Sequence, residues 1–363
     1  MGLGIIITVN GVPDAELAQA SRVEVYERLG ETTHFNIYYP EDISDGDLNR
    51  LKDNRLGPGA VISILADVND TQECLVKGHV YSQQIHLEHG GEGSSVLVKG
   101  ADTSITMDRV FQSVVWADVT DSDAVTSIFG NYGLVADVFT TNARHLEDKH
   151  SLVQRETDLR FIRRLARRNG CYCWITSDAA GVETAHFKQP QLEGEPVAEL
   201  SINFQSPNIQ SFDISWNTER PTSVEGLQLD LNTKNNLDGQ LAQTPQSLLG
   251  SLSLQAITGD VRTMQVSAPA DDAGNLQARS QGALIEADWF VQASCRTSLH
   301  QFGKLLHAHT IVNVKGAGSR HSGKYLVAAV RHIIDPSAHV MEVKLVRNGW
   351  EEAATGGIGG GIF

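Results

Sequence analysis

The sequence predicts a mainly β protein interrupted by a small α+β block. Three observations carry that expectation. Short runs rich in β-branched and aromatic residues recur between residues 23 and 98, and similar runs recur between 199 and 346. Between them, residues 157–176 show helical spacing, stop at a glycine and continue as an alternating strand.

In the first block, Val23-Glu24-Val25-Tyr26-Glu27 alternates, as do parts of Phe35–Tyr39, Val61–Leu65, Leu75–Tyr81, Gln84–Glu88 and Ser95–Val98. Gly57-Pro58-Gly59, Asn69-Asp70 and Gly90-Gly91-Glu92-Gly93 punctuate them, and such spacing suggests a barrel or sandwich. Asp14–Gln19 is expected to form one helical turn. Asp121–Tyr132 reads as a helix opened by acidic residues and closed near Gly130 or Gly133.

The next helix is expected over 158–168. Leu159, Ile162, Leu165 and Ala166 form one apolar face, and Thr157 can cap its start. Arg163, Arg164, Arg167 and Arg168 crowd the last turns, where the helix dipole favours cations, and Asn169-Gly170 supplies a left-handed stop. A strand is expected over 171–176.

The second strand-rich block is expected to contain Glu199–Phe204, Ser211–Trp216, Val224–Leu231, Val261–Ser267, Val291–Ser298, Thr310–Val314, Lys324–Ile334 and His339–Val346. The last two form a hairpin across Asp335-Pro336-Ser337. Its final strand has Met341, Val343 and Leu345 on one face, with Glu342 and Lys344 on the other. Asn232–Gln246 reads as a long polar loop. Asn275–Trp289 reads as a helix, which Gly282 weakens.

With 363 residues, the chain is long enough for two or three domains. It carries 29 Lys and Arg against 44 Asp and Glu, a net charge of −15, which argues against nucleic-acid binding. The basic run at 160–168 is read as a helix face and dipole partner. Cys74, Cys171, Cys173 and Cys295 are too few for a disulfide scaffold and fit a reducing compartment. No stretch approaches the ~20 apolar residues of a membrane span, so synthesis and folding in the cytoplasm are expected.

Several segments imitate catalytic motifs. Gly318-Ser319-Arg320-His321-Ser322-Gly323-Lys324 has phosphate-loop spacing, but Tyr325 stands where Ser or Thr should bind magnesium, and a strand-like run follows. His86-Leu87-Glu88-His89 lacks the spacing of a zinc-protease motif. His300, His307 and His309 lie beside no obvious carboxylate in sequence. Asp102, Glu156 and Asp158 read as turn and cap residues. No catalytic, cofactor-binding or metal site is expected.

Residues 151–175 carry a family resemblance. Val153, Gln154, Glu156, Thr157, Asp158, Phe161, Arg164, Leu165, Gly170, Tyr172 and Trp174 match a pattern of the phage late control protein D family. Two further stretches agree in order. One runs from Leu75-Val76-Lys77-Gly78-His79-Val80 through Val96–Asp102 to Val119–Asp123. The other runs from Gly323, Lys324 and Tyr325 through Val330-Arg331-His332 to Arg347-Asn348-Gly349-Trp350. The chain therefore resembles the baseplate hub proteins of contractile tails and the hub half of the type VI secretion spike protein.

The resemblance implies two tail-tube-like β-barrels, at 1–112 and 198–350. They flank an α+β domain at 113–197 and precede a Gly-rich tail at 351–363. It implies a homotrimer that presents a pseudo-sixfold ring, with a tail tube protein above, a separate spike polypeptide below and other baseplate components around it. Gln154, Glu156, Asp158, Phe161, Leu165, Gly170, Gly323, Tyr325, His332, Arg347, Gly349 and Trp350 are expected to be structural. Gly356, Gly357, Ile358, Ile362 and Phe363 are candidate spike contacts. The alternatives are a glycan-binding or glycan-hydrolysing β-barrel, and a tail-tip hub of a noncontractile phage.

Overall fold

A computed structural model describes residues 4–41, 54–69, 71–89, 93–147, 151–203, 206–229, 234–266 and 273–352. The first block contributes β1 (Ile5–Val9), β2 (Val12–Pro13), β3 (Arg22–Arg28), β4 (His34–Pro40), β5 (Val61–Val68), β6 (Thr71–His86) and β7 (Ser95–Asp102). A short 3-10 turn at Leu17–Gln19 fills the expected helical position. The runs expected as two strands, 75–81 and 84–88, form the single strand β6. Its register shifts between Val80 and Ser82, so a bulge absorbs the break in alternation.

The middle block contains β8 (Phe111–Trp116), β9 (Val119–Thr120), α1 (Asp121–Asn131), β10 (Val135–Val138), β11 (Arg144–His145) and β12 (Leu152–Thr157). It continues with α2 (Asp158–Arg168), β13 (Tyr172–Ser177) and β14 (Glu183–Lys188). Thr120 and Asp123 form a reciprocal capping box on α1. Thr157 precedes α2 but makes no side-chain cap bond. Its hydroxyl is taken by the Asp108 carboxylate instead, which corrects the expected cap. Gly170 has φ of 63° and supplies the left-handed stop.

The third block contains β15 (Ala198–Ser201), β16 (Ser211–Trp216), β17 (Ser223–Leu229), β18 (Asn236–Asp238), α3 (Leu254–Thr258), β19 (Thr263–Val266) and α4 (Ala273–Ala287). It ends with β20 (Val291–Ser298), α5 (Leu299–Phe302), β21 (Ile311–Lys315), β22 (Gly323–Ile334) and β23 (His339–Arg347). The stretch read as a polar loop holds β18, which pairs with β17 from Asn236 to Asp238. Leu237, alone among polar neighbours, is too weak a periodic signal to reveal it.

Helix α4 runs through Gly282 for a reason the sequence does not display. A Cβ there would stand 2.5 Å from the Arg167 carbonyl oxygen and 2.8 Å from the Gly170 nitrogen. The glycine therefore lets α4 pack against the end of α2. The Arg220 guanidinium donates to the Ala287 and Glu286 carbonyls at 2.6 and 2.9 Å, satisfying the open C-terminus of α4.

The two strand-rich blocks share one 13-stranded sheet, and among the described residues no sheet closes, so the expected pair of barrels is not seen as two closed units. The main path of the shared sheet is β16-β20-β23-β22-β3-β4-β7-β6-β5-β1-β2, with β21 joining β22 and β15 joining β21. The blocks meet where β22 pairs antiparallel with β3, from Ala329–Arg28 to Ile334–Val23. One apolar core spans the junction, including Val23, Val25, Phe35 and Ile37 from one side and Val330, Ile334, Met341 and Val343 from the other. A second core, with Phe129, Phe161, Leu165 and Phe187, lies within the α+β block. The β22–β23 hairpin forms as expected. The Asp335 carboxylate accepts the Ser337 and Ala338 N–H groups, which fixes the turn. Among the described residues, no helix is long and apolar enough to cross a membrane.

Gly78 lies in β6, opposite both Ile62 and Asp102. A Cβ at this position would stand 1.9 Å from the Ala101 carbonyl oxygen, a backbone atom that cannot rotate away. Gly78→Ala is expected to destabilise the fold by about 1–3 kcal/mol, the usual range for overpacking. Denaturant unfolding of the purified chain measures the loss.

Candidate functional site

The family-motif residues of the α+β block act on one another. Gln154 projects inward from β12. Its Oε1 accepts the Trp116 indole N–H at 3.1 Å, and its Nε2 donates to Asp158 Oδ1 at 2.6 Å. Asp158 Oδ2 accepts the Tyr132 hydroxyl at 2.9 Å. Burial, followed by the Asp158 carboxylate, pushes the Tyr132 pKa up to about 12, so the phenol stays a donor. Phe161 stacks on Trp116, and Leu165 is fully buried. Glu156 is half-buried and pairs with Arg164 at 2.6 Å. Gln154, Asp158 and their partners thus fix the elbow where β12 turns into α2.

A second buried network was missed in the sequence, where Arg168 reads as a dipole partner. The Arg168 guanidinium donates to both carboxylate oxygens of Asp121, 47 residues earlier. Asn169 Nδ2 donates to Asp121 Oδ2 at 2.7 Å, and His145 Nε2 lies 2.9 Å from Oδ1. This network joins the start of α1 to the end of α2. The other arginines find mixed partners: Arg160 lies near Asp108, and Arg163 donates to Thr32 Oγ1 at 2.9 Å.

The C-terminal motif residues form a clamp around segment 249–252. Arg347, on the core face of β23, is fully buried. Its Nε and Nη2 donate to the Leu249 carbonyl at 3.0 and 2.8 Å, and Nη1 donates to the Ser322 carbonyl at 3.0 Å. Nη2 also pairs with Glu351 at 2.6 Å, and the guanidinium lies over the Tyr325 ring. Gly323 leaves room for it, since a Cβ would stand 2.9 Å from Arg347 Nη2. Gly349 allows the backbone of Gly250 to approach, and Trp350 pairs with Leu252 through both main-chain hydrogen bonds. Gly356, Gly357, Ile358, Ile362 and Phe363 lie outside the described residues.

A third cluster joins the strand-rich blocks. Glu27 is on β3, His332 on β22 and His307 on the segment before β21. His307 Nδ1 is 2.9 Å from Glu27 Oε1, and its Nε2 is 3.7 Å from Glu73 Oε2. Burial alone would lower the His307 pKa, but the Glu27 carboxylate overrides it and raises the value to about 10. Burial would raise the Glu27 pKa, and His307 instead holds that carboxyl far below the usual range.

The expectation that His307 has no carboxylate beside it is therefore corrected. Both carboxylates come from strands more than 230 residues earlier, on β3 and β6. The available signal was polarity on a core face: Glu27 follows Val23 and Val25, and His332 sits between Val330 and Ile334. Glu27, Glu73, His307 and His309 line a cavity of about 360 Å³. His309 stacks on Trp174, and burial pushes its pKa down to about 3.

The phosphate-loop imitation leads directly into β22, so no helix N-terminus faces it. All four cysteines are free, and Cys171, Cys173 and Cys295 are buried. Asp102 accepts the Thr33 and Ser104 N–H groups at 2.6 and 2.9 Å.

The family described as Alg8 N-terminal domain matches residues 3–336, and the chain belongs to that family. No curated protein matches the sequence. Solved structures do match its fold. A tail protein from Neisseria meningitidis MC58 has a TM-score of 0.67 at 15% identity, covering 95% of this chain and 96% of that one. A 43 kDa tail protein of prophage MuSo2 from Shewanella oneidensis gives 0.66 at 13% identity, covering 95% and 98%. An Escherichia coli component of the type VI secretion system, itself similar to the T4 bacteriophage tail proteins gp27 and gp5, gives 0.58 at 12% identity, covering 96% and 79%. At these identities the likeness is one of fold: this chain has the architecture of phage tail and type VI secretion proteins.

Two predictions come from this geometry. Arg347→Lys keeps the charge but loses the planar fork that holds Leu249 and Ser322, and is expected to cost about 2 kcal/mol. Chemical unfolding of the variant measures it. Burial raises the Asp102 pKa from 3.8 to about 6, so the folded state favours the protonated form. That contribution is complete below the unfolded value and is lost as pH rises through about 6. From about pH 4 to about pH 7, wild type is expected to lose on the order of 1–3 kcal/mol relative to Asp102→Asn. Parallel unfolding curves across that range test the sign.

Proposed function

We propose that this member of the Alg8 N-terminal domain family is a structural baseplate hub of a contractile phage tail or tail-like injection system. It joins the sixfold inner tube to the threefold spike and acts mechanically, without catalysis. The observation that carries the reading is the joint between the strand-rich blocks: two similarly sized strand sets meet at the β3–β22 ladder, with the α+β block beside them. A chain with two such halves can present six related surfaces from three copies. The end-to-end likeness to tail proteins and the motif residues at 151–175 and 323–350 support the same reading.

In this proposal the divisions are a tube-like barrel at 1–112, an α+β domain at 113–197, a second tube-like barrel at 198–350 and a tail at 351–363. Three copies close into a ring. A tail tube protein stacks above it, a separate spike polypeptide docks below, and other baseplate components surround it. Gly356, Gly357, Ile358, Ile362 and Phe363 would reach the spike.

The surface of the α+β block supports self-association. Phe111 and Val115 point outward from β8, and Val153, paired with Val115, points outward from β12. Val110 is also exposed. These exposed apolar side chains, Val115 with Val153 across the ladder and Phe111 four residues along the same face of β8, are of the kind that marks protein contacts, and a second copy of this chain is the partner the proposal assigns to them.

The solution mass of the chain, alone and co-expressed with its spike, tests the proposal. A trimer that images as a ring with pseudo-sixfold features is expected. A strict monomer under both conditions at micromolar concentration would sink it. Phe111→Glu combined with Val115→Glu is expected to weaken trimerisation at least about tenfold, which corresponds to about 1.4 kcal/mol. Sedimentation equilibrium reads that change, and unaltered melting of the variant would separate it from misfolding.

A further inference from the structure

The cluster at the joint between the strand-rich blocks has the composition and support of a metal site. The ligand atoms of Glu27, His307 and His332 all lie within 4.8 Å of one another. Glu27 Oε1 is 2.9 Å from His307 Nδ1 and 3.6 Å from His332 Nε2. Ligands about 2.0–2.2 Å from a tetrahedral zinc ion stand roughly 3.3–3.6 Å apart, so the Glu27–His332 separation already fits, the hydrogen-bonded Glu27–His307 pair must part slightly, and the two imidazoles, within 4.8 Å of each other, must adjust to the ion.

A second observation points to a ligand. His332 is fully buried, and its Nε2 has no hydrogen-bond partner. A buried polar atom without a hydrogen bond carries a desolvation cost. The same atom faces the Glu27 carboxylate.

The other polar atom of each ligand is already held. His332 Nδ1 lies 3.0 Å from His339 Nε2. His307 Nε2 faces Glu73 Oε2 at 3.7 Å. Glu27 Oε2 accepts the Ala308 N–H at 3.0 Å. Metal-ligating histidines need such partners, because a bond at one ring nitrogen fixes the ring and leaves the other free to coordinate.

We propose that Glu27 Oε1, His307 Nδ1 and His332 Nε2 bind one divalent transition-metal ion, with zinc as the ion that two imidazoles and a carboxylate suit best. Water takes the fourth position, because Glu27 and His307 line a solvent-sized cavity. The ion ties β3 to β22 and to the segment before β21, so it staples the two strand-rich blocks together. This assignment is independent of the hub reading and stands or falls separately.

The test uses the full chain without a histidine tag, stripped of metal and titrated with zinc, and in parallel with cobalt(II). The expected result is one equivalent per chain, tetrahedral cobalt absorption and a raised melting temperature. Glu27→Gln and His332→Gln should abolish the high-affinity step. Glu73→Gln and His339→Gln should weaken it about 10- to 100-fold. Replacement of the exposed His86 and His89 by alanine should leave it unchanged. Absence of a stoichiometric step in the wild-type chain would overturn the proposal. So would a cobalt spectrum without tetrahedral bands, or zinc binding that survives in the ligand variants. If a ligand variant fails to fold, the wild-type cobalt spectrum and the His339→Gln affinity still decide.

Discussion

The antiparallel ladder between β3 and β22 is the constraint on which the rest of the molecule depends. Six residues of each strand are in register, and they turn two strand sets from opposite ends of the chain into one sheet. Val23 and Val25 from β3 and Val330 and Ile334 from β22 enter one core, so neither block can bury its inner face without the other. The opposite face of the ladder carries a charged network. Arg331 bridges Glu24 at 3.1 Å and Glu342 at 3.3 Å while lying over the Tyr26 ring. Cross-strand pairs of this kind set register as much as they add stability. On the core side, Glu27 at the end of the β3 stripe and His332 within the β22 stripe place polar chemistry among the apolar side chains.

The C-terminal clamp extends the same logic. Arg347 occupies the next inward position after Met341, Val343 and Leu345, where alternation calls for an apolar side chain. A guanidinium is tolerated there because carbonyl oxygens of Leu249 and Ser322 and the Glu351 carboxylate take its donors. The clamp holds a segment that has little regular structure of its own. The strands thereby fix the position of residues 249–252 and of Trp350, whose ring meets Trp216, Phe290 and His321.

Local signals explain what the sequence disclosed. The helix at 158–168, the strands at 211–216 and 291–298 and the hairpin at 323–347 follow from periodicity, glycine stops and turn chemistry, all of which act within about ten residues. Ile5–Val9 escaped because three consecutive isoleucines show no alternation, yet Ile5 and Ile7 are buried there. The Asp121–Arg168 network and the Glu27–His307 pair escaped because 47 and 280 residues separate their members. Gly282 was misleading for the same reason: what it accommodates is the backbone of another helix. The motif positions Gln154, Asp158, Gly323 and Arg347 could be singled out in the sequence, but the bonds that make them necessary could not.

The open form of the main sheet bears on how the chain can work. Among the described residues its main path ends at β16 on one side and at the two-residue strand β2 on the other, β15 forms a further edge beyond β21, and Trp216 on β16 is exposed. A six-residue edge strand with an exposed tryptophan invites pairing with another chain, whereas a two-residue edge offers little to pair with. In the proposed ring this asymmetry would favour head-to-tail contacts over a self-complementary one, and head-to-tail contacts generate rings when the rotation closes. An acidic surface of net charge −15 opposes indiscriminate stacking. In the proposed assembly, contacts would then be apolar and local, as the outward pairing of Val115 with Val153 offers. The hub proposed above would need stiffness within each subunit and specificity between subunits. The β3–β22 ladder would serve the first of these needs, and the exposed apolar patch the second.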